Sequence, residues 1–119
     1  MNPEAIQLLG SAQQILDHSS TSTTSTARVA AFLARQAAEV MIEDRCATLV
    51  SEQVARATGR SKASILKSLD TTPAGTTLIR AWNQLSRYCH EHAYELAPSV
   101  AEVRAMCVQL MRVMEGEAA

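Results

Sequence analysis

Apolar residues recur at helical spacing through most of this chain, and the breaks between runs divide it into five helical segments. Asn2, Pro3 and Glu4 make a helix start: a capping side chain, a ring-fixed first position and an acid near the positive helix end. Ile6, Leu9, Ala12, Ile15 and Leu16 follow on one face and predict a first helix to about Asp17. SSTSTTST, residues 19–26, has nothing to bury and reads as a linker whose last hydroxyls can cap the next helix. From Ala27, the positions Val29, Phe32, Leu33, Ala37, Val40 and Met41 predict the inner face of a long helix. The stripe continues as Cys46, Leu49, Val50, Val54 and Ala57, with a change of phase near 43–47 that allows a bend, and Gly59 is a stop.

Ser61 opens a shorter helix through Leu69, with Ile65, Leu66 and Leu69 facing inward. Thr72-Pro73 opens the next, whose inner stripe is Leu78, Ile79, Trp82, Leu85 and Cys89. Pro98 forbids an ordinary helix through residue 97, so this helix must end between His90 and Ala97. Ser99 and Glu102 form a capping box for a last helix carrying Val100, Val103, Cys107, Leu110, Met111 and Met114 on one side. Met106 and Val113 add a second apolar flank there, and a homodimer through this helix is expected to cover it. The pattern predicts an all-α, up-and-down bundle of four to five helices.

Composition agrees with helices over sheets. Apolar residues make up 47 % of the chain but aromatics only 3 %, so the core must be Ala, Leu, Val, Ile and Met. At 119 residues there is room for one core. The net charge of −1 gives no global field for nucleic acid, so a basic surface must be local. No apolar run has the length of a membrane span, MNPEAIQLLG lacks the regions of a signal peptide, and three cysteines argue against a disulfide framework. A cytoplasmic protein without a membrane partner is expected.

The chemistry concentrates in SRYCHEHAYELAPS, residues 86–99, which holds two of the three histidines and both tyrosines. Arg87 lies opposite the Trp82 and Leu85 stripe, aligned with Arg80, Asn83 and Gln84; His92 follows five positions later and Tyr94 two after that, giving R-x4-H-x-Y. A guanidinium that neutralises a phosphate and an imidazole that titrates near neutrality can together cleave RNA without a metal or cofactor. The imidazole moves the proton of the 2′-hydroxyl or of the leaving oxygen, and the arginine stabilises charge gathering on phosphorus.

With the wording RVAAFLARQAAE (28–39) and AWNQLSRYCHEHAYELAPSVAEVR (81–104), this motif resembles the HEPN-domain ribonuclease toxins, small all-helical proteins encoded beside minimal nucleotidyltransferase antitoxins, and actinobacterial HEPN-like proteins. The resemblance covers roughly residues 27–115, so residues 1–26 read as an added helix and linker and 27–119 as the HEPN-like bundle. It implies phosphate binding by Arg87, acid–base catalysis by His92, adenylylation of Tyr94 by a nucleotidyltransferase partner, and a homodimer whose two subunits build one cleft. One position departs: Tyr88 follows Arg87 where active members often carry a small polar residue.

Ordinary readings stand beside these. Arg87 can pair with Glu91, His92 can satisfy frayed carbonyls, and Tyr94 can anchor a loop over the bundle end. His90 is either a second site histidine or an exposed polar residue, with Asn83 as a further supporting candidate. Cys89, His90, His92 and Cys107 could be read as zinc ligands, but Cys89 falls on the apolar stripe and no second close pair exists, so no metal is expected. Arg56, Arg60, Lys62 and Lys67 lie in an acid-free stretch and, with Arg80, are the candidates for RNA-backbone contacts. The competing function classes are a catalytically silent module that binds RNA, nucleotide or a nucleotidyltransferase, and a purely structural helical adaptor.

Overall fold

Local signals start three of the four helices seen in a computed structural model, which describes residues 2–18, 24–49, 72–90 and 98–118. Helix α1 spans Pro3–His18, and the Asn2 side chain caps it by accepting from the Glu4 and Ala5 N–H groups at 2.8 and 3.3 Å. Helix α2 spans Thr24–Leu49. Helix α3 spans Pro73–Cys89, with Pro73 in its first turn and Thr72 Oγ1 accepting from Gly75 N–H at 3.2 Å. Helix α4 spans Val100–Ala118 behind a reciprocal box: Ser99 Oγ accepts from Glu102 N–H at 3.1 Å, and Glu102 Oε1 accepts from Ser99 N–H at 3.2 Å. No strand occurs among the described residues, and none of their helices is long and apolar enough to cross a membrane. The expected helix over 61–69 lies outside the described residues, whereas the helix end expected between His90 and Ala97 falls at His90, the C-cap of α3.

Bonds between helices establish that neighbours run antiparallel. The start of α1 meets the end of α2 where Asn2 Nδ2 donates to Asp44 Oδ2 at 2.6 Å. The start of α3 meets the same end of α2, Arg45 donating to Thr72 Oγ1 at 3.0 Å, while Ser86 lies opposite Arg35. Gln13 donates to Met111 Sδ at 2.9 Å and Asp17 pairs with Arg104, so α1 and α4 also run in opposite directions. The four helices of the described residues thus form an up-and-down bundle.

Its core corrects the expected phase of two helices. In α2 the buried residues are Ala27, Ala30, Ala31, Ala34, Ala37, Ala38, Met41, Ile42 and Cys46, whereas Val29 and Phe32 are 51 % and 49 % exposed. Leu33 and Val40 are only partly buried at the margin. The physical reason is position: α2 touches α1, α3 and α4, and methyl side chains let helix axes approach toward the lower end of the about 8–10 Å range. Val29 and Phe32 are left outside, while Met41 and Ile42 fit inward. Likewise Ala5 takes the inward place in α1, and Ile6 is 43 % exposed. Helix α2 also runs without interruption through 43–47. Its Ala27 and Ala30 share one core with Ala5, Leu9, Ala12 and Leu16 of α1, and the boundary expected at residue 26 falls inside α2.

In α4 the expected second flank is not a separate surface. Val113 is 5 % exposed in the core with Val103, Cys107, Leu110 and Met114, and Met106 packs against that core. Val113→Glu is therefore expected to bury a carboxylate and destabilise the monomer, lowering its urea midpoint sharply rather than merely weakening self-association. Ala34→Leu should cost about 1–3 kcal/mol by overpacking, while Val108→Thr on the exposed side of α4 should stay within about 0.5 kcal/mol. Equilibrium urea unfolding followed by helical circular dichroism checks all three.

Candidate functional site

The register of α3 on α2 comes from a partly exposed polar seam along the edge of their apolar contact. Trp82 is 9 % exposed, and its indole N–H donates to Glu39 Oε1 at 3.3 Å. Arg35 Nε donates to Ser86 Oγ at 2.9 Å, and the Arg35 guanidinium lies 3.4 Å from Glu39 and 5.8 Å from the centre of the Trp82 ring. Directional bonds of this kind hold both rotation and slide. The adjacent residue, Arg87, then stands in the last turn of α3, and Arg28 lies two turns before Arg35 on α2.

Helix α3 ends where His90 leaves helical geometry at φ −88°, ψ 135°, its N–H donating to the Arg87 carbonyl at 3.2 Å. The start of α4 comes close: Tyr88 Oη donates to Glu102 Oε2 at 3.2 Å. The Ser99 backbone N–H first, then the Ser99 side chain and the Tyr88 hydroxyl, hold the Glu102 carboxyl below its ordinary range, so it is ionised at neutral pH. Burial, reinforced by Glu102, pushes the Tyr88 phenol up against opposing effects of Gln84 and Arg87. Tyr88 therefore stays a protonated donor.

These elements enclose a cleft of about 270 Å³ lined by Arg28, Gln84, Arg87, Tyr88, His90, Pro98 and Glu102. Of the expected site residues, the cleft brings together Arg87 and His90, both exposed. Asn83 and Arg80 are exposed on α3 but do not line it. His92, Tyr94, Arg56, Arg60, Lys62 and Lys67 lie outside the described residues. Reading the chain alone missed Arg28 and Glu102 as neighbours of Arg87 in the cleft, whereas Gln84 was already aligned with it on one face of α3. The capping box could have placed Glu102 at the mouth of α4, but no spacing links Arg28, fifty-nine residues before Arg87, to the motif. Two guanidinium groups against one carboxylate leave the cleft net positive before His90 is counted, a setting suited to a phosphate. A larger hollow of about 620 Å³ along Ser99, Val100, Ala101, Arg104, Ala105 and Val108 offers no acid or base, and its Arg104 pairs with Asp17.

Comparison with protein-family models, curated proteins and solved structures finds no match to this chain. The class of protein is thus defined by its own geometry: an all-α bundle with a small cationic cleft where the third helix gives way to the fourth.

The cysteines stand apart from that cleft. Cys46 and Cys107 are buried and Cys89 is half-buried. Burial pushes the Cys89 thiol up, with Arg35 opposing, and pushes that of Cys107 to about 11. A raised folded-state value means stability is fully present below the unfolded thiol range and is lost as pH rises through the folded one. Melting temperature should therefore fall more steeply between about pH 9 and 11 in the wild type than in Cys107→Ala. Equal slopes in the two would show that Cys107 does not carry this dependence.

Proposed function

We propose that this protein is a HEPN-like, metal-independent endoribonuclease, the toxin of a toxin–antitoxin or defence system. Arg87 binds the scissile phosphate, and His92 acts as general acid or base. The observation that supports this most is the placement of Arg87 in a net-positive cleft with His90, at the helix end from which the chain continues toward His92 and Tyr94. A guanidinium fork at a cleft of this size can hold one phosphate in two-point contact. An imidazole a few residues on supplies the proton transfer that splits the neighbouring ester through its 2′-oxygen.

The rest of the reading follows from the resemblance of R-x4-H-x-Y. Adenylylation of Tyr94 by a nucleotidyltransferase antitoxin would add a bulky anion two residues from the imidazole and silence the enzyme. The cytoplasm is the proposed compartment, and Arg56, Arg60, Lys62, Lys67 and Arg80 are proposed contacts along the RNA backbone, with Asn83 in a supporting role. A homodimer belongs to the proposal as well. With Val113 inside the monomer core, its apolar contact is assigned instead to Val29 and Phe32 on the outer face of α2, three residues apart and both half-exposed.

One observation favours the alternative, a catalytically silent module that binds RNA, nucleotide or a nucleotidyltransferase. Tyr88 lines the cleft and draws the Glu102 carboxylate into it, where active relatives of this motif often carry a small polar residue. Cleavage assays separate the two. The expected result is RNA cleavage that survives EDTA and leaves 2′,3′-cyclic phosphate ends, reduced on the order of 10²-fold or more in His92→Ala. Arg87→Lys should also be severely impaired, because an ammonium keeps the charge but loses the fork. Binding without cleavage in the wild type would move the protein to the silent class, and full activity in His92→Ala would take the acid–base role away from His92. Phe32→Ser should shift the mass measured by light scattering toward that of a monomer.

A further inference from the structure

The cleft contains a cation that belongs to neither the motif nor its helix. Arg28 enters from the first turns of α2, half-buried, with its Nε shielded from solvent. An arginine whose stem is packed in this way presents its head group with less rotamer freedom to lose than an exposed one. It lines the same 270 Å³ as Arg87, Gln84, Tyr88 and Glu102. That volume lies just under the about 300–1,000 Å³ of ordinary small-molecule sites, which suits one phosphate and part of its sugar rather than a larger ligand.

We propose that Arg28 is a second phosphate-binding residue, so that one RNA phosphodiester is gripped by guanidinium groups from two helices, α2 and α3, while Glu102 opposes it. This rests on the reading of the cleft as the RNA site. Arg87 stands in the last turn of α3 and is exposed, so alone it fixes the phosphate from one side. Arg28 approaches from another helix, and the Trp82–Glu39 and Arg35–Ser86 bonds fix the offset between the two helices. Two forks from separate rigid elements orient a phosphate that one flexible side chain would only attract. Glu102 works in the opposite sense. Its carboxylate is ionised and tied to Tyr88 and Ser99, and it places one negative charge beside the phosphate position.

The two charges predict opposite changes, which a merely structural role for either would not produce. The probe is a short single-stranded 2′-O-methyl oligoribonucleotide, which cannot be cleaved through its 2′-oxygen, titrated by fluorescence anisotropy at several salt concentrations. Arg28→Gln should weaken binding about tenfold, the scale of one charge-assisted contact, and lower the salt slope by about 0.7. Glu102→Gln should tighten binding severalfold, and the fold should tolerate it because glutamine also completes a capping box. Arg112→Gln, an equal charge change on the exposed side of α4 away from the cleft, should do neither. Unchanged affinity in Arg28→Gln, or no tightening in Glu102→Gln, overturns the proposal. If Arg28→Gln does not fold, Glu102→Gln decides alone. Loss of binding in Arg87→Gln with no change in Arg28→Gln would remove Arg28 and leave the RNA site standing. No change in either would remove both. Displacement of the oligonucleotide by an equimolar nucleoside monophosphate would assign the grip to a free nucleotide and overturn the RNA assignment.

Discussion

Methyl-sized side chains at Ala27, Ala30, Ala31, Ala34, Ala37 and Ala38 let three helices lie close against α2, and the remaining geometry is registered on that contact. Each alanine buries little area, so the stripe works by allowing close approach, which lets the longer side chains of the neighbours interdigitate around it. Leu9, Leu78, Leu85, Val103 and Leu110 fill the space between the axes. Of the larger described side chains on α2, Met41 and Ile42 are buried. Val29 and Phe32 end on the outside, each about half-exposed.

Close packing by alanine is weakly directional, and the polar seam compensates for this. Glu39, Arg35, Trp82 and Ser86 bond at specific heights along α2 and α3, which resists sliding that an apolar contact would tolerate. The cleft depends on this register. With α3 held at that height its final turn carries Arg87 to the level of Arg28, and the capping box of α4 brings Glu102 against Tyr88 from the third side. Polar contacts along the α2–α3 seam thereby position charges at the end of the bundle.

The legible parts of this chain were those governed by short-range rules. Asn2-Pro3-Glu4, Thr72-Pro73 and Ser99 with Glu102 announced three helix starts, because a capping side chain bonds N–H groups two or three residues away and needs no tertiary partner. The stripe of α3 was equally plain, since Leu78, Trp82 and Leu85 are large and its opposite face is polar. At the site, Arg87 and His90 were picked out by the density of chemistry around them, and His92 and Tyr94 rest on their spacing to Arg87.

What the sequence determined by itself was therefore helical class, three of the helix starts and the arginine at the end of α3, all consequences of bonds and periodicities spanning a few residues. Only the tertiary structure decided which face of α1 and α2 turns inward, because alanine is preferred there for the approach of another helix and not for its own hydrophobicity. It likewise placed Val113 in the core instead of on a subunit interface. It alone joined Arg28 and Glu102 to Arg87, since these residues belong to three helices and meet only through packing contacts far apart along the chain.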